Sequence, residues 1–248
     1  MNIMILNGSP KKKSSTSGFL GKVMGSCLIN HDVNYFSLRI KNEYPKILQS
    51  LKYVDALILA VPLYVDGIPS HVLEFLHQAE IFCKENKCNF SPYVISNNGF
   101  IEGVHNKVHL KMYECWCRRT RIIWGGGIGV GGEILRVLSI YFSVAFAVHI
   151  IINLVKYILG TLPVFDDWIP LIYDIAVYLF FNIGVIYCII RLSASVRKLG
   201  KTKNRYTRVT VSSFLFVHMA DIFMVLTVLF NGKNIFFLLK KDKYIPKK

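Results

Sequence analysis

The first seventeen residues constrain the fold most. Met1–Leu6 is a short apolar run, Asn7-Gly8-Ser9-Pro10 breaks it, and Lys11-Lys12-Lys13 leads into the hydroxyl cluster Ser14-Ser15-Thr16-Ser17. A buried strand that empties into a Gly/Ser/Thr loop and then a helix builds an anion site. Backbone N–H groups at the helix start point outward, the helix dipole favours negative charge, and small side chains let a phosphate approach. The Gly-x4-Gly-Lys-Ser/Thr spacing of a P-loop is absent, and Gly8 lacks the partners of a Gly-x-Gly-x-x-Gly dinucleotide turn. On composition alone, a polar loop that merely caps the helix accounts for the segment equally well.

The pattern that follows repeats the strand–helix alternation. Residues 2–7 read as a buried strand, 33–38, 54–61 and 93–96 as further strands, and 15–30, 44–53, 69–83 and 103–119 as helices. A fifth strand is expected at Arg121-Ile122-Ile123-Trp124, ending in the glycine-rich run Gly125–Gly132. Strands that are apolar throughout and alternate with helices predict an α/β fold, a doubly wound parallel five-stranded sheet covered on both faces. Ligands of such sheets bind at the carboxyl ends of the strands.

Three loops at those ends carry a resemblance. Asn7-Gly8-Ser9-Pro10-Lys11-x-x-Ser14-Ser15-Thr16 resembles the Asn-Gly-Ser-Pro-Arg-x-x-Ser-Asn-Thr phosphate loop of flavodoxin-like NAD(P)H-dependent FMN reductases. Pro62-Leu63-Tyr64-Val65-Asp66-Gly67-Ile68-Pro69 is similar to the Pro-x-Tyr-x-x-x-x-Pro segment beside the isoalloxazine ring in that family. Ser96-Asn97-Asn98-Gly99-Phe100-Ile101-Glu102 resembles an Asn-x-Gly-Phe-x-Glu stretch of a clostridial-type branch; Asn-Asn-Gly is also ordinary turn chemistry. The run Trp124–Glu133 is similar to that branch's Trp-x-x-Gly-Ile-Gly-x-Gly-x-Glu segment, and reads equally as a flexible linker.

The resemblance spans about residues 1–135 and implies a flavodoxin-like fold. It implies FMN held by Ser9, Lys11, Ser14, Ser15, Thr16, Ser17, Pro62, Leu63, Tyr64, Val65, Asn97, Asn98, Gly99 and Phe100. NAD(P)H would be the electron donor, and a small molecule or a protein the acceptor. No catalytic side chain is required, because stacking geometry and a water-poor pocket suffice for hydride transfer. Lys11 stands where the family has Arg, which keeps the charge but loses the bidentate fork. Ser15 stands where Asn is common, and no nicotinamide signature is evident.

Beyond residue 133 the chain changes character. Residues 1–133 hold 15 Lys+Arg against 10 Asp+Glu, and 134–248 hold 15 against 5. The second part is also the more apolar, with candidate transmembrane segments at 137–159, 168–190 and 209–230. Basic residues that sit between long apolar runs argue for membrane flanks and against a nucleic-acid face. The turn 161–167 has no Lys or Arg, whereas 191–208 has seven and no acid. The positive-inside rule therefore puts the first domain and the 191–208 loop in the cytoplasm, bound to the cell membrane. Two spans reconcile these charges. A third leaves Lys240, Lys241, Lys243, Lys247 and Lys248 outside unless it is re-entrant or interfacial.

The expected division is thus a flavodoxin-like domain over 1–133 and a hydrophobic helical region over 134–248, with no signal peptide before the first strand. Six cysteines show no framework or zinc spacing and read as reduced thiols. His105 and His109, spaced i, i+4, could share a metal but read better as a solvated helix face; no metal site is assigned. His149 and His218 lie deep in apolar segments, where a haem is one conceivable use. The reading that results is a membrane-anchored flavodoxin-like oxidoreductase with membrane lipid as a partner. The alternatives are a non-catalytic membrane protein with a degenerate docking domain, and a soluble homodimer joined by its apolar tail.

Overall fold

The computed structural model describes residues 1–12, 14–132, 134–161, 164–232, 234 and 236. Lys13, Glu133, Leu162, Pro163 and the lysine-rich tail, all used above, lie outside the described residues. Two compact units are present, Met1–Val209 and Thr210–Lys248.

The first unit is built on a parallel sheet of β1 (Asn2–Asn7), β2 (Asp32–Ser37), β3 (Ala56–Pro62), β4 (Ser91–Asn97), β5 (Gly126–Val130) and β6 (Arg205–Tyr206). Their spatial order is β2-β1-β3-β4-β5-β6, with every neighbouring pair parallel. Helices α1 (Thr16–Ser26), α2 (Tyr44–Ser50), α3 (Ser70–Asn86) and α4 (Lys107–Thr120) connect the first five strands. The two faces follow from the period of two along each strand. Met4, Leu6, Leu57, Leu59 and Val61 pack under α2, α3 and α4, whereas Ile3, Ile5, Ile58 and Ala60 pack with Leu20 and Met24 of α1. This parallel α/β architecture fits a flavodoxin-like fold.

Two expectations are corrected. The fifth strand is not 121–124 but the glycine run itself, Gly126–Val130, which pairs with β4 from Tyr93↔Gly126 to Asn97↔Val130. Its glycines are dictated by crowding. A Cβ on Gly129 would stand 2.5 Å from the Gly103 carbonyl oxygen, and one on Gly127 2.9 Å from Leu110 Cδ2. The run is therefore a buried strand and not a linker. The sheet also has six strands and not five, because Arg205–Tyr206 adds beside Ile128 and Gly129.

The face that α1 leaves open is covered from far along the chain. Helix α5 (Ile134–Ile158) leaves the carboxyl end of β5, and α6 (Ile169–Arg197) returns antiparallel to it. Ser139 Oγ lies 3.0 Å from Tyr178 Oη, and the His149 and Trp168 rings meet at a tilt of 58° with centroids 5.1 Å apart. Lys156 pairs with Asp167 at the far turn. The last turns of α6 then run down the sheet, burying Val185, Cys188, Ile189, Leu192 and Val196 against Tyr93, Ile95 and Ile128. Tyr93 Oη, near the amino end of β4, reaches the carbonyl oxygens of Ser195 (3.2 Å) and Gly200 (3.0 Å). One continuous helix thus belongs to the apolar hairpin at its start and to the sheet at its end.

By length and composition, two helical stretches among the described residues are able to cross a membrane, Leu135–Ile158 and Asp166–Arg197. In the first, Val137, Tyr141, Val144, Ile151 and Tyr157 are all more than half exposed. The second unit contains α7 (Ser213–Phe230), capped by Ser212 Oγ, which accepts from Leu215 N at 3.2 Å. His218 Nδ1–H donates to the Phe214 carbonyl at 2.8 Å.

Candidate functional site

From β1 the chain moves to β2 on one side, then returns to add β3, β4 and β5 on the other. Such a reversal opens a crevice at the carboxyl ends of the central strands. The loops after β1, β3 and β4 converge there on a cavity of about 520 Å³, within the roughly 300–1,000 Å³ typical of small-molecule clefts. Its lining is Ser9, Lys11, Ser15, Thr16, Ser17, Pro62, Leu63, Tyr64, Val65, Asp66, Asn97, Asn98, Gly99 and Phe100. The structure therefore brings together every residue expected from the sequence except Ser14, which faces solvent from the same loop. Asp66, left out of that expectation, joins them.

The first loop is shaped by its own short side chains. Asn7 Oδ1 accepts from Ser9 N at 3.0 Å and Ser9 Oγ from Lys11 N at 3.3 Å, closing two tight turns. Gly8 lies against β3 and α3, where a Cβ would meet Val61 Cγ1 at 2.7 Å and Val72 Cγ2 at 3.0 Å. Ser15 is the N-cap of α1, its Oγ accepting from Gly18 N at 3.1 Å. A cap satisfies only part of a helix start. Among the described residues, the backbone N–H groups of Thr16 and Ser17 find no acceptor. Thr16 Oγ1 is buried and makes no hydrogen bond. A buried hydroxyl without a partner carries a desolvation cost, about 1–3 kcal/mol, that a ligand oxygen would remove. The N–H pair, the free hydroxyl and exposed Lys11 together form a donor set suited to a phosphate.

The other two loops are locked to the first. Ser17 Oγ donates to Asn97 Oδ1 at 2.8 Å, and Leu63 N donates to the Asn97 carbonyl at 2.8 Å. Asn98 is occupied by its own turn, accepting from Phe100 N (3.0 Å) and donating to the Glu102 carbonyl (3.2 Å). Among the described residues this leaves Asn97 Nδ2 as the side-chain donor of the loop without an acceptor, with the Asn98 amide holding backbone shape. In the second loop Gly67 N donates to the Tyr64 carbonyl at 3.0 Å, enclosing Val65 and Asp66 at φ of 48° and 56°. Two successive positive φ values make a type I′ hairpin, a backbone that suits Asn-Gly far better than a β-branched valine.

A buried polar cluster that sequence reasoning missed lies beneath β4. Ser96 Oγ is 2.7 Å from both Asn106 Oδ1 and His109 Nδ1. Asn106 Nδ2 is already donating to the Gly103 carbonyl at 3.0 Å, so its Oδ1 must accept the one Ser96 proton. His109 Nδ1–H then donates to Ser96 Oγ, and the neutral ring keeps a bare Nε2 that is buried and unpartnered. Burial holds the His109 pKa down to about 4. This corrects the solvated-face expectation. His109 is fully buried, whereas His105 sits in a 3₁₀ turn with its ring 4.9 Å from that of Phe100. Nearer the site, His71 Nε2–H donates to the Gly8 carbonyl at 3.1 Å, and burial lowers its pKa.

No family model matches the chain, and no curated protein does. Solved structures do. The Trp repressor binding protein from Bacillus subtilis is 16% identical, aligns over 52% of this chain and 84% of its own, and has a TM-score of 0.44. An FMN-dependent NADH-azoreductase from Bacillus anthracis in complex with FMN is 16% identical, over 46% and 80%, with a TM-score of 0.35. A flavodoxin, WrbA-like protein from Agrobacterium tumefaciens is 12% identical, over 50% and 75%, with a TM-score of 0.41. About half of the chain is covered in each case.

Proposed function

We propose that this chain is a membrane-anchored oxidoreductase that holds FMN at the carboxyl ends of β1, β3 and β4, with NAD(P)H as donor. One observation carries the reading: three loops far apart in sequence close on one cavity, and among the described residues its lining includes the Thr16 and Ser17 N–H groups without acceptors and the unpartnered Thr16 hydroxyl. Ser15–Ser17 and Lys11 would take the phosphate. Pro62–Val65 would supply an apolar, aromatic wall, and Asn97–Phe100 the opposite one, with Asn97 Nδ2 as a polar contact. When bound, FMN supplies the two-electron redox chemistry; the protein residues bind, orient and exclude water. The acceptor is a small molecule or a protein, and 134–248 supplies the membrane segments. Two spans return the chain to the side that holds the sheet, which agrees with a cytoplasmic domain and a cation-rich 191–208 loop.

The test is an absorbance spectrum of the detergent-purified chain, followed by titration with FMN. We expect flavin bands or, after stripping, saturable 1:1 rebinding. A colourless protein with no FMN affinity would remove this reading and leave the non-catalytic docking module.

A further inference from the structure

The hairpin and the cavity stand at the same end of the sheet. Ser195 and Gly200 sit by Tyr93, at the amino end of β4, so the last turns of α6 run antiparallel to the strands. Tyr178 meets Ser139, nine residues after Val130 closes β5, so the helix passes the carboxyl end of the sheet near residue 182. Asn182 is fully buried there. Everything in α5 and α6 between Ser139 and Tyr178 therefore projects beyond the strand ends that carry the cavity. Beyond the strand ends α5 runs from Ser139 to its last residue, Ile158, which at 1.5 Å per residue is about 30 Å, the thickness of a bilayer's hydrocarbon core.

The rim of the cavity is apolar where solvent-exposed loops usually are not. Val65 is wholly exposed, Phe100 is 55% exposed and Tyr64 41%. Lys11, which lines the same cavity, is exposed, as is Lys12 next to it in sequence, with Asp66 as a carboxylate on the rim. Aromatic tips with flanking cations are the side chains that settle at a headgroup boundary.

We infer that the rim formed by Tyr64, Val65 and Phe100 is a lipid-contacting surface. With the hairpin across the bilayer, the strand ends face the membrane, and these three side chains enter the headgroup–acyl boundary. The inference rests on the membrane-spanning reading of α5 and α6, to which it adds an orientation. What enters the cavity then comes from the lipid boundary and is amphipathic or lipid-dissolved.

The experiment uses the full chain in phosphatidylcholine vesicles with and without bromines high on the acyl chains, which quench nearby tryptophan. Native Trp168, at the hairpin turn, reports insertion. Val65→Trp adds a reporter at the rim, and Tyr53→Trp adds one at the exposed amino end of the sheet. We expect quenching of the native signal, at least twofold quenching of the emission added by Val65→Trp, and none of that added by Tyr53→Trp. Phe100→Trp, at a second rim position, should repeat the Val65→Trp result. Native quenching with rim emission as insensitive as that of Tyr53→Trp overturns the orientation and leaves the hairpin inserted. An unquenched native signal overturns the membrane reading and this inference with it.

Discussion

At the scale of single residues, Thr16 separates binding from stability. Its hydroxyl has no partner in the protein, so Thr16→Val removes a donor that the fold does not use. We expect FMN affinity to fall about tenfold or more, as for loss of one hydrogen bond to a charged group, while the thermal midpoint is unchanged or slightly raised. Isothermal titration and a melt on the same sample check both halves. His109 predicts an acid-sensitive window. Its folded pKa of about 4 lies below the ordinary histidine value near 6.5, so the unfolded chain binds the extra proton first. The stability this contributes is complete above about pH 6.5 and is lost as pH falls toward 4, about 3 kcal/mol in all. Denaturant unfolding across that range, compared with His109→Gln, should show the slope in the native chain and its absence in the variant.

At the scale of elements, the three loops around the cavity were legible because each needs particular residues: Gly8 for close approach, hydroxyls to cap α1, and proline to end β3 and start α3. Two strands were hidden. Arg121–Trp124 has the β-branched residues that mark a strand, whereas three of the five residues of β5 are glycine, placed there by neighbours that tolerate no Cβ. Strand β6 is two residues within a cation-rich loop, paired to a strand some 75 positions earlier, a separation that local pattern cannot report. Gly129→Ala should therefore lower stability by about 3 kcal/mol or more, since its methyl meets backbone that cannot give way. The Val65-Asp66 turn should behave oppositely. Replacing it with Asn-Gly, which suits both positive φ values, should raise stability by about 1 kcal/mol in chemical denaturation. A larger cost than gain there would mean the turn is held by something other than its own backbone.

At the scale of the whole molecule, α6 joins two environments in one rod. Its amino-terminal part pairs with α5, and its last turns cover Ile95, Ile128 and Tyr93. A chain cut after residue 133 should expose that face and aggregate, whereas a chain cut after residue 209 should stay folded in detergent; size-exclusion profiles of the two distinguish these outcomes. Because β6 follows the hairpin in the chain, the sheet's last edge cannot close while a ribosome is still making residues 1–200. Both apolar helices are made first, so the sheet that supports the cavity is completed only after the hairpin that covers its face.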